Sequence, residues 1–180
     1  MQNRHILAIC IDCGDTFADE STEVKDERGV TLKADLIPGA ADMVRAIKKL
    51  GYPLALVADG PTGTFENILT QHDLYDLFDV FSISQQVGAN KPNARMFTNA
   101  LDQLGIAKID YPRVVMVGNN LERDIKGANA LGLISVFLSW SNKRTHTPAD
   151  ETEIPQYTIK TPAELLSLLD NMDGSRLKMI

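Results

Sequence analysis

Five short apolar runs alternate with amphipathic, helix-length stretches, and this restricts the chain more than any other feature. The runs are Ile6–Ile11, Pro53–Ala58, Val80–Ile83, Val114–Val117 and Ser135–Leu138, and polar residues follow each one. They are too short for helices and too continuously apolar for half-exposed strands, so they read as strands buried on both faces of a parallel sheet. The intervening stretches have helical periodicity. Met43, Val44, Ile47 and Leu50 follow Pro38-Gly39 and stop at Gly51. Phe65, Ile68, Leu69 and His72 share a face, with His72 read as a packed residue. Met96, Phe97, Ala100, Leu101 and Leu104 are closed by Gly105, and Leu121–Leu131 ends at Gly132. Tyr157–Ile159 adds a short edge strand. Thr161-Pro162-Ala163-Glu164 has the form of a capping box that opens a last helix to about Met172.

Strands alternating with helices predict an α/β fold: a mostly parallel sheet of five to six strands, covered by helices on both faces. Residues 1–172 are expected to form one domain. A small hairpin flap occupies about 17–37, around the turn Asp26-Glu27-Arg28-Gly29, and 173–180 form a loose tail. A chain of 180 residues, 44% hydrophobic and 23% charged, can bury a core of that size unaided. Its net charge of −6 disfavours nucleic acid or an anionic membrane as partner, though a local cationic site is compatible with that total. No apolar run approaches the roughly 20 residues that span a bilayer, and Met1–Ile11 lacks the form of a signal peptide. A cytoplasmic location is expected. Cys10 and Cys13 have C-x-x-C spacing, but residues three apart on a strand point to opposite faces, which argues against redox chemistry.

In open parallel sheets ligands bind beyond the carboxyl ends of the strands, which directs attention to Asp12, Asp59, Lys91 and Asn119. Asp12-Cys13-Gly14-Asp15-Thr16 sets two carboxylates and a hydroxyl around a glycine. Lys91, before Pro92, can neutralise charge. Asp124 lies one turn into a helix whose N-terminus meets the same edge. Carboxylates, a lysine and helix N-termini together suit Mg²⁺ and phosphate, although helix capping and turn formation alone would also use Asp12 and Asp124.

The order of these features resembles the four motifs of the haloacid dehalogenase-like hydrolases. They are Asp12-x-x-x-Thr16 after the first strand, a small residue-Asp59-Gly60 after the second, Lys91-Pro92, and Gly118-x-x-x-x-x-Asp124 before Gly127-Ala128. The resemblance implies a Rossmann-like three-layer α/β/α sandwich and catalysis through an aspartate. Asp12 would attack phosphorus to give an aspartyl-phosphate that water hydrolyses. Mg²⁺ would sit between Asp12, the Gly14 carbonyl, Asn119 and Asp124, while Lys91 holds Asp12 and the phosphoryl oxygens together. Asp59 and Gly60 would bind substrate. The intervals before and after the second strand leave no room for a large cap domain. An open site for a small phosphorylated molecule or an exposed phosphate group is therefore expected, and a homo-oligomer is compatible with it.

Three positions depart from that family pattern. Gly14 stands where phosphatases carry a second aspartate as general acid and base, with Asp15 one residue later as a displaced candidate. Ala58 replaces a phosphate-binding hydroxyl, for which N–H groups of Asp59 and Gly60, or Thr62 and Thr64, are candidate substitutes. Asn119 replaces an acidic metal ligand. Two other readings stay open: a 2-haloacid dehalogenase, whose pattern also accommodates Gly14 and Asn119, and a binding or scaffold member with weakened chemistry. Trp140, with the Asn142-Lys143-Arg144-Thr145-His146 stretch, reads as a packed residue in a solvated loop.

Overall fold

The computed structural model describes residues 5–177, with the side chains of 175–177 left aside. Six parallel strands form the central sheet: β1 (Ala8–Ile11), β4 (Leu54–Ala58), β5 (Val80–Ile83), β6 (Val114–Gly118), β7 (Ile134–Leu138) and β8 (Tyr157–Ile159). Their spatial order is β5-β4-β1-β6-β7-β8. β1 lies centrally, paired with β4 through Ile9–Leu54 to Ile11–Leu56 and with β6 through Ala8–Val114 to Ile11–Val117. The tip of β1, where Asp12 follows, is therefore flanked on both sides by other strand ends.

The period of two along each strand divides the core. Ile9, Ile11, Leu54, Leu56, Val115, Val117, Val136 and Leu138 face one layer of helices: α1 (Ala40–Lys49), α2 (Thr62–Gln71) and α6 (Pro162–Leu177). Ala8, Cys10, Ala55, Val57 and Met116 face the opposite layer, where α4 (Ala94–Gln103) and α5 (Lys126–Leu131) pack. Burial of one such Leu, Ile or Val side chain stabilises by about 1.5–3 kcal/mol. Smaller residues face the α4–α5 layer, and the helices approach closely there. A Cβ on Gly127 of α5 would lie 2.3 Å from the ring of Phe97 of α4. Cys10 and Cys13, both reduced, belong to opposite core layers.

Between β1 and α1 the chain makes a short 3₁₀ turn, Glu20–Thr22, and the hairpin β2 (Val24–Lys25) and β3 (Thr31–Lys33). Asp26 Oδ1 accepts from the N–H groups of Arg28 and Val30 and shapes its turn. The hairpin rests on α2. Thr31 N donates to Thr64 Oγ1, and Asn67 Nδ2 donates to Thr31 O. A short helix, α3 (Ser84–Val87), follows β5 before the Lys91 segment.

Two local expectations need correction. The last helix does not stop near Met172, and residues 173–177 are not loose, since α6 runs to Leu177. The Asp173 carboxylate accepts from the N–H groups of His5 and Ile6 and from the Tyr52 hydroxyl, tying the helix to the chain entering β1. Such a contact, 168 residues apart in sequence for His5, leaves no trace in helical periodicity. The remaining tail residues, 178–180, lie outside the described region. At the start of α6 the capping box is rearranged. Glu164 accepts from Lys160 N and from the Thr161 hydroxyl instead of receiving the N-cap N–H.

Candidate active site at the carboxyl edge of the sheet

Asp12, Gly14, Glu20, Asp59, Lys91, Asn119, Asn120, Arg123, Asp124 and Arg144 line one small pocket at the carboxyl ends of β1, β4 and β6. β1 ends just before Asp12, β4 just before Asp59, and β6 just before Asn119, so the parallel sheet itself delivers three of the predicted residues to one edge. Asp124 arrives on a π-helical turn, Leu121–Ile125, that leads into α5. A Cβ on Gly118 would lie 2.2 Å from Asp124 Oδ2, so only glycine at the end of β6 lets this carboxylate fold back over the strand.

Lys91 binds the site together. Its Nζ donates to Asp12 Oδ1 at 2.6 Å, Asp124 Oδ1 at 2.7 Å and the Val57 carbonyl at 2.8 Å, which uses all three ammonium donors. Burial works against its charge, but Asp12 and Asp124 outweigh that effect and raise its pKa above the ordinary lysine value. Asp124 is raised as well, but for the opposite reason: burial pushes its carboxyl upward, against the pull of Lys91. Its second oxygen accepts from Asn120 N at 3.0 Å. The Asp12 side chain is 13% exposed, against 2% for Lys91 and 1% for Asp124. Of the three, Asp12 is therefore the group that an incoming molecule can touch. Thr16 Oγ1 donates to Asp12 Oδ2 at 3.3 Å and steadies it from behind.

Some candidates are placed elsewhere. Asp15 is fully buried and does not line the pocket. With φ at +48° it occupies the left-handed region, and its Oδ1 accepts from Glu20 N at 3.1 Å and Lys143 Nζ at 2.7 Å. Its carboxylate is thus engaged within the loop and lies outside the pocket that Asp12 lines. The Gly60 N–H is spent on Ser84 Oγ and that of Thr62 on Gln85 Oε1, while the Thr64 hydroxyl takes the hairpin's Thr31 N–H. These two N–H groups are already engaged within the fold, and the Thr64 hydroxyl is held against the hairpin. Asp59 does line the pocket, accepting from Lys91 N at 3.0 Å and Arg123 Nη1 at 3.4 Å.

Sequence reading missed Glu20, Asn120, Arg123 and Arg144. Arg123 and Asn120 sit inside the fourth motif, where position on a helix that meets the sheet edge was the available signal. Glu20 carried none, and Arg144 lay in a basic stretch, Asn142–His146, that reads as a solvated loop. The stretch 139–146 is a largely exposed loop, with Asn142, Lys143, Thr145 and His146 at the surface, but it also reaches across to the loop after β1. Trp140 Nε1 donates to Asp15 O at 2.6 Å, Lys143 Nζ bridges Asp15 Oδ1 and Asp19 Oδ1 at 2.7 Å each, and Arg144 Nη2 lies 3.2 Å from both Glu20 carboxylate oxygens. Burial lifts the Glu20 carboxyl above its ordinary value, with Arg144 pulling the other way.

The donor set suits a hard divalent cation. Among the described residues, no group of three or more His, Cys, Asp or Glu is arranged to hold a metal. Two carboxylates, Asp12 and Asp124, with the Asn119 amide and the Gly14 carbonyl, instead form the oxygen-rich, partly charged set that Mg²⁺ takes alongside phosphate oxygens. Charge counting agrees. Asp12, Glu20, Asp59 and Asp124 oppose Lys91, Arg123 and Arg144 around the pocket. Even with Glu20 neutral the lining carries no net positive charge, which is what a divalent cation would add.

Residues 6–132 match a family model described as haloacid dehalogenase-like hydrolase. The chain is 34% identical over 133 residues to the pyrimidine 5'-nucleotidase YjjG of Escherichia coli (strain K12), covering 74% of this chain and 56% of that protein. It is 26% identical over 132 residues to a glyceraldehyde 3-phosphate phosphatase of Methanopyrus kandleri, covering 73% and 55% respectively. The chain thus spans little more than half the length of these relatives. In three dimensions it resembles the crystal structure of an HAD phosphatase from Thermococcus onnurineus. The TM-score is 0.75 at 19% identity, over 93% of this chain and 100% of that one, a likeness of fold.

Proposed function

Because this chain belongs to the haloacid dehalogenase-like hydrolases, we propose that it is a Mg²⁺-dependent phosphatase with Asp12 as nucleophile. One observation carries the reading: Lys91 Nζ joins Asp12 and Asp124 at 2.6 and 2.7 Å in a buried trio of which only the Asp12 carboxylate is exposed to any extent. Maintaining two desolvated carboxylates around one lysine is costly unless the arrangement is used.

In this reading an Asp12 oxygen attacks phosphorus and forms an aspartyl-phosphate, which water then hydrolyses. Lys91 keeps Asp12 ionised and oriented. Arg123 and Arg144 face the pocket and balance charge on the phosphoryl oxygens. Asp12, Asp124, Asn119 and the Gly14 carbonyl would hold Mg²⁺, which when bound supplies the positive charge that the lining lacks. The pocket's volume of about 60 Å³ is roughly twice the share of liquid volume of one water, so it admits a phosphoryl group and little more. Beside it, Gly60, Pro61, Ser84, Gln85, Gly88, Ala89 and Asn90 line an uncharged hollow of about 410 Å³ that can take the organic part of a small phosphorylated substrate.

The charged, oxygen-rich lining suits a phosphoryl group better than the carbon centre of a 2-haloacid, and likeness to phosphatases supports the same choice. Among the described residues no helix is long and apolar enough to cross a membrane. That fits a reading in which the protein works in the cytoplasm on small solutes. The test is turnover of a panel of phosphate esters with Mg²⁺. Wild-type release of phosphate that disappears in Asp12→Asn is expected, and a wild type no better than that variant overturns the proposal.

A further inference from the structure

Gly14 leaves a side-chain space open next to Asp12, and another residue's carboxylate occupies it. A Cβ built on Gly14 would lie 2.0 Å from Glu20 Oε1, 2.9 Å from its Cδ and 3.1 Å from its Cγ. The end of the Glu20 side chain thus stands where a side chain of residue 14 would begin, within the same pocket as Asp12.

The placement is held from several directions. Glu20 opens a 3₁₀ turn whose N-cap, Asp19, accepts from Ser21 N. Its own N–H donates to Asp15 Oδ1 at 3.1 Å. Lys143 ties Asp15 and Asp19 together, Trp140 holds the Asp15 carbonyl, and Arg144 reaches the Glu20 carboxylate from the β7 side. The exchange of roles at 14 and 15 is coherent in this light. Glycine at 14 vacates the space, and aspartate at 15, in a left-handed conformation, anchors the turn that brings Glu20 into it.

We propose that Glu20 is a catalytic residue, the carboxyl group that serves the leaving oxygen in the phosphatase reaction proposed above, on which this inference rests. Protonated Glu20 donates its proton to the leaving oxygen as the P–O bond breaks and the bond from Asp12 oxygen to phosphorus forms. The resulting Glu20 carboxylate takes a proton from the water that attacks the aspartyl-phosphate. The Asp12–phosphorus bond breaks, inorganic phosphate leaves, and both side chains return to their starting state. Asp15 acts through Glu20 as a positioning residue.

The experiment compares kcat for wild type, Asp12→Asn and Glu20→Gln on an alkyl or sugar phosphate, whose leaving oxygen needs a proton, and on p-nitrophenyl phosphate, which needs far less help. General acid–base catalysis is worth about 10²–10⁴-fold. Glu20→Gln should therefore lower kcat about 100-fold or more on the first substrate and less than about 10-fold on the second, with little change in KM. A carboxylate relocated by Glu20→Ala with Gly14→Asp should recover at least about 10-fold over Glu20→Ala alone. Equal losses on both substrates mean a structural role and overturn the proposal, as does Asp12-dependent turnover that Glu20→Gln leaves intact. Absence of turnover in wild type overturns the phosphatase reading and this inference together, which distinguishes the two failures.

Discussion

Replacing Lys91 with methionine keeps the length of the side chain and removes its charge, leaving Asp12 and Asp124 facing each other without a cation. The lysine side chain is 2% exposed and serves carboxylates at 2.6 and 2.7 Å. Breaking a buried ion pair by removing one partner costs about 3–5 kcal/mol. At a typical urea dependence of about 2 kcal/mol per molar, the unfolding midpoint at pH 8 should fall by about 1.5–2.5 M. EDTA must be present, because a divalent cation would stand in for the ammonium group. The pH dependence carries the finer test. Without Lys91 the carboxyls of the folded variant titrate well above their unfolded values of about 4, so its folded state binds more protons than the unfolded chain. Stability of the variant then declines as pH rises, by about 1.4 kcal/mol for each unit over which one extra proton is held. Between pH 8 and pH 5.5 the variant should regain at least about 1 kcal/mol relative to wild type, and Mg²⁺ should restore part of the loss at pH 8 through binding to the folded state. Urea titrations at the two pH values measure all of this. A midpoint shift below about 0.3 M, or a loss independent of pH, would refute the view of Lys91 as the counter-charge to a buried carboxylate pair.

Three further outcomes follow from other parts of the molecule. Gly127→Ala forces a methyl group to within 2.3 Å of the fully buried Phe97 ring, and overpacking of this kind should destabilise by about 1–3 kcal/mol in thermal or urea unfolding. The Asp19 carboxyl is held at about 2, chiefly by its hydrogen bond from Lys143 and then by Ser21. Because this folded-state value lies below the unfolded one, the contribution is complete above about pH 4 and lost as pH falls toward 2. NMR titration should move Asp19 up toward the ordinary carboxylate value in Lys143→Met, with Ser21 still holding it somewhat below, and an ordinary value already in wild type would contradict the loop geometry. Burial pushes the Cys10 thiol to about 12, and burial with the nearby Asp12 charge raises that of Cys13. Neither should react with a thiol reagent at pH 8 until the chain is unfolded.

The sequence by itself determined the layered α/β architecture and the convergence of Asp12, Asp59, Lys91 and Asp124 on one edge. Both follow from local regularities: strand and helix periods, and the rule that residues after parallel strands share a side of the sheet. Even the edge strand Tyr157–Ile159 lies where turn chemistry and apolar pattern put it. Tertiary structure decided the chemistry around Asp12. Asp15 was legible as a carboxylate near Asp12, but in the fold it is engaged by Glu20 N and Lys143 within the loop. Glu20, half a loop further on, fills the space left by Gly14 only because Asp15, Lys143 and Arg144 hold the turn in place. Arg144 reaches Glu20 across 124 residues of sequence, and Asp173 reaches His5 across 168. A strand or helix announces itself through repeating neighbours a few positions away. A carboxylate delivered by one loop and steadied by another depends on distances that exist only after the sheet has been assembled.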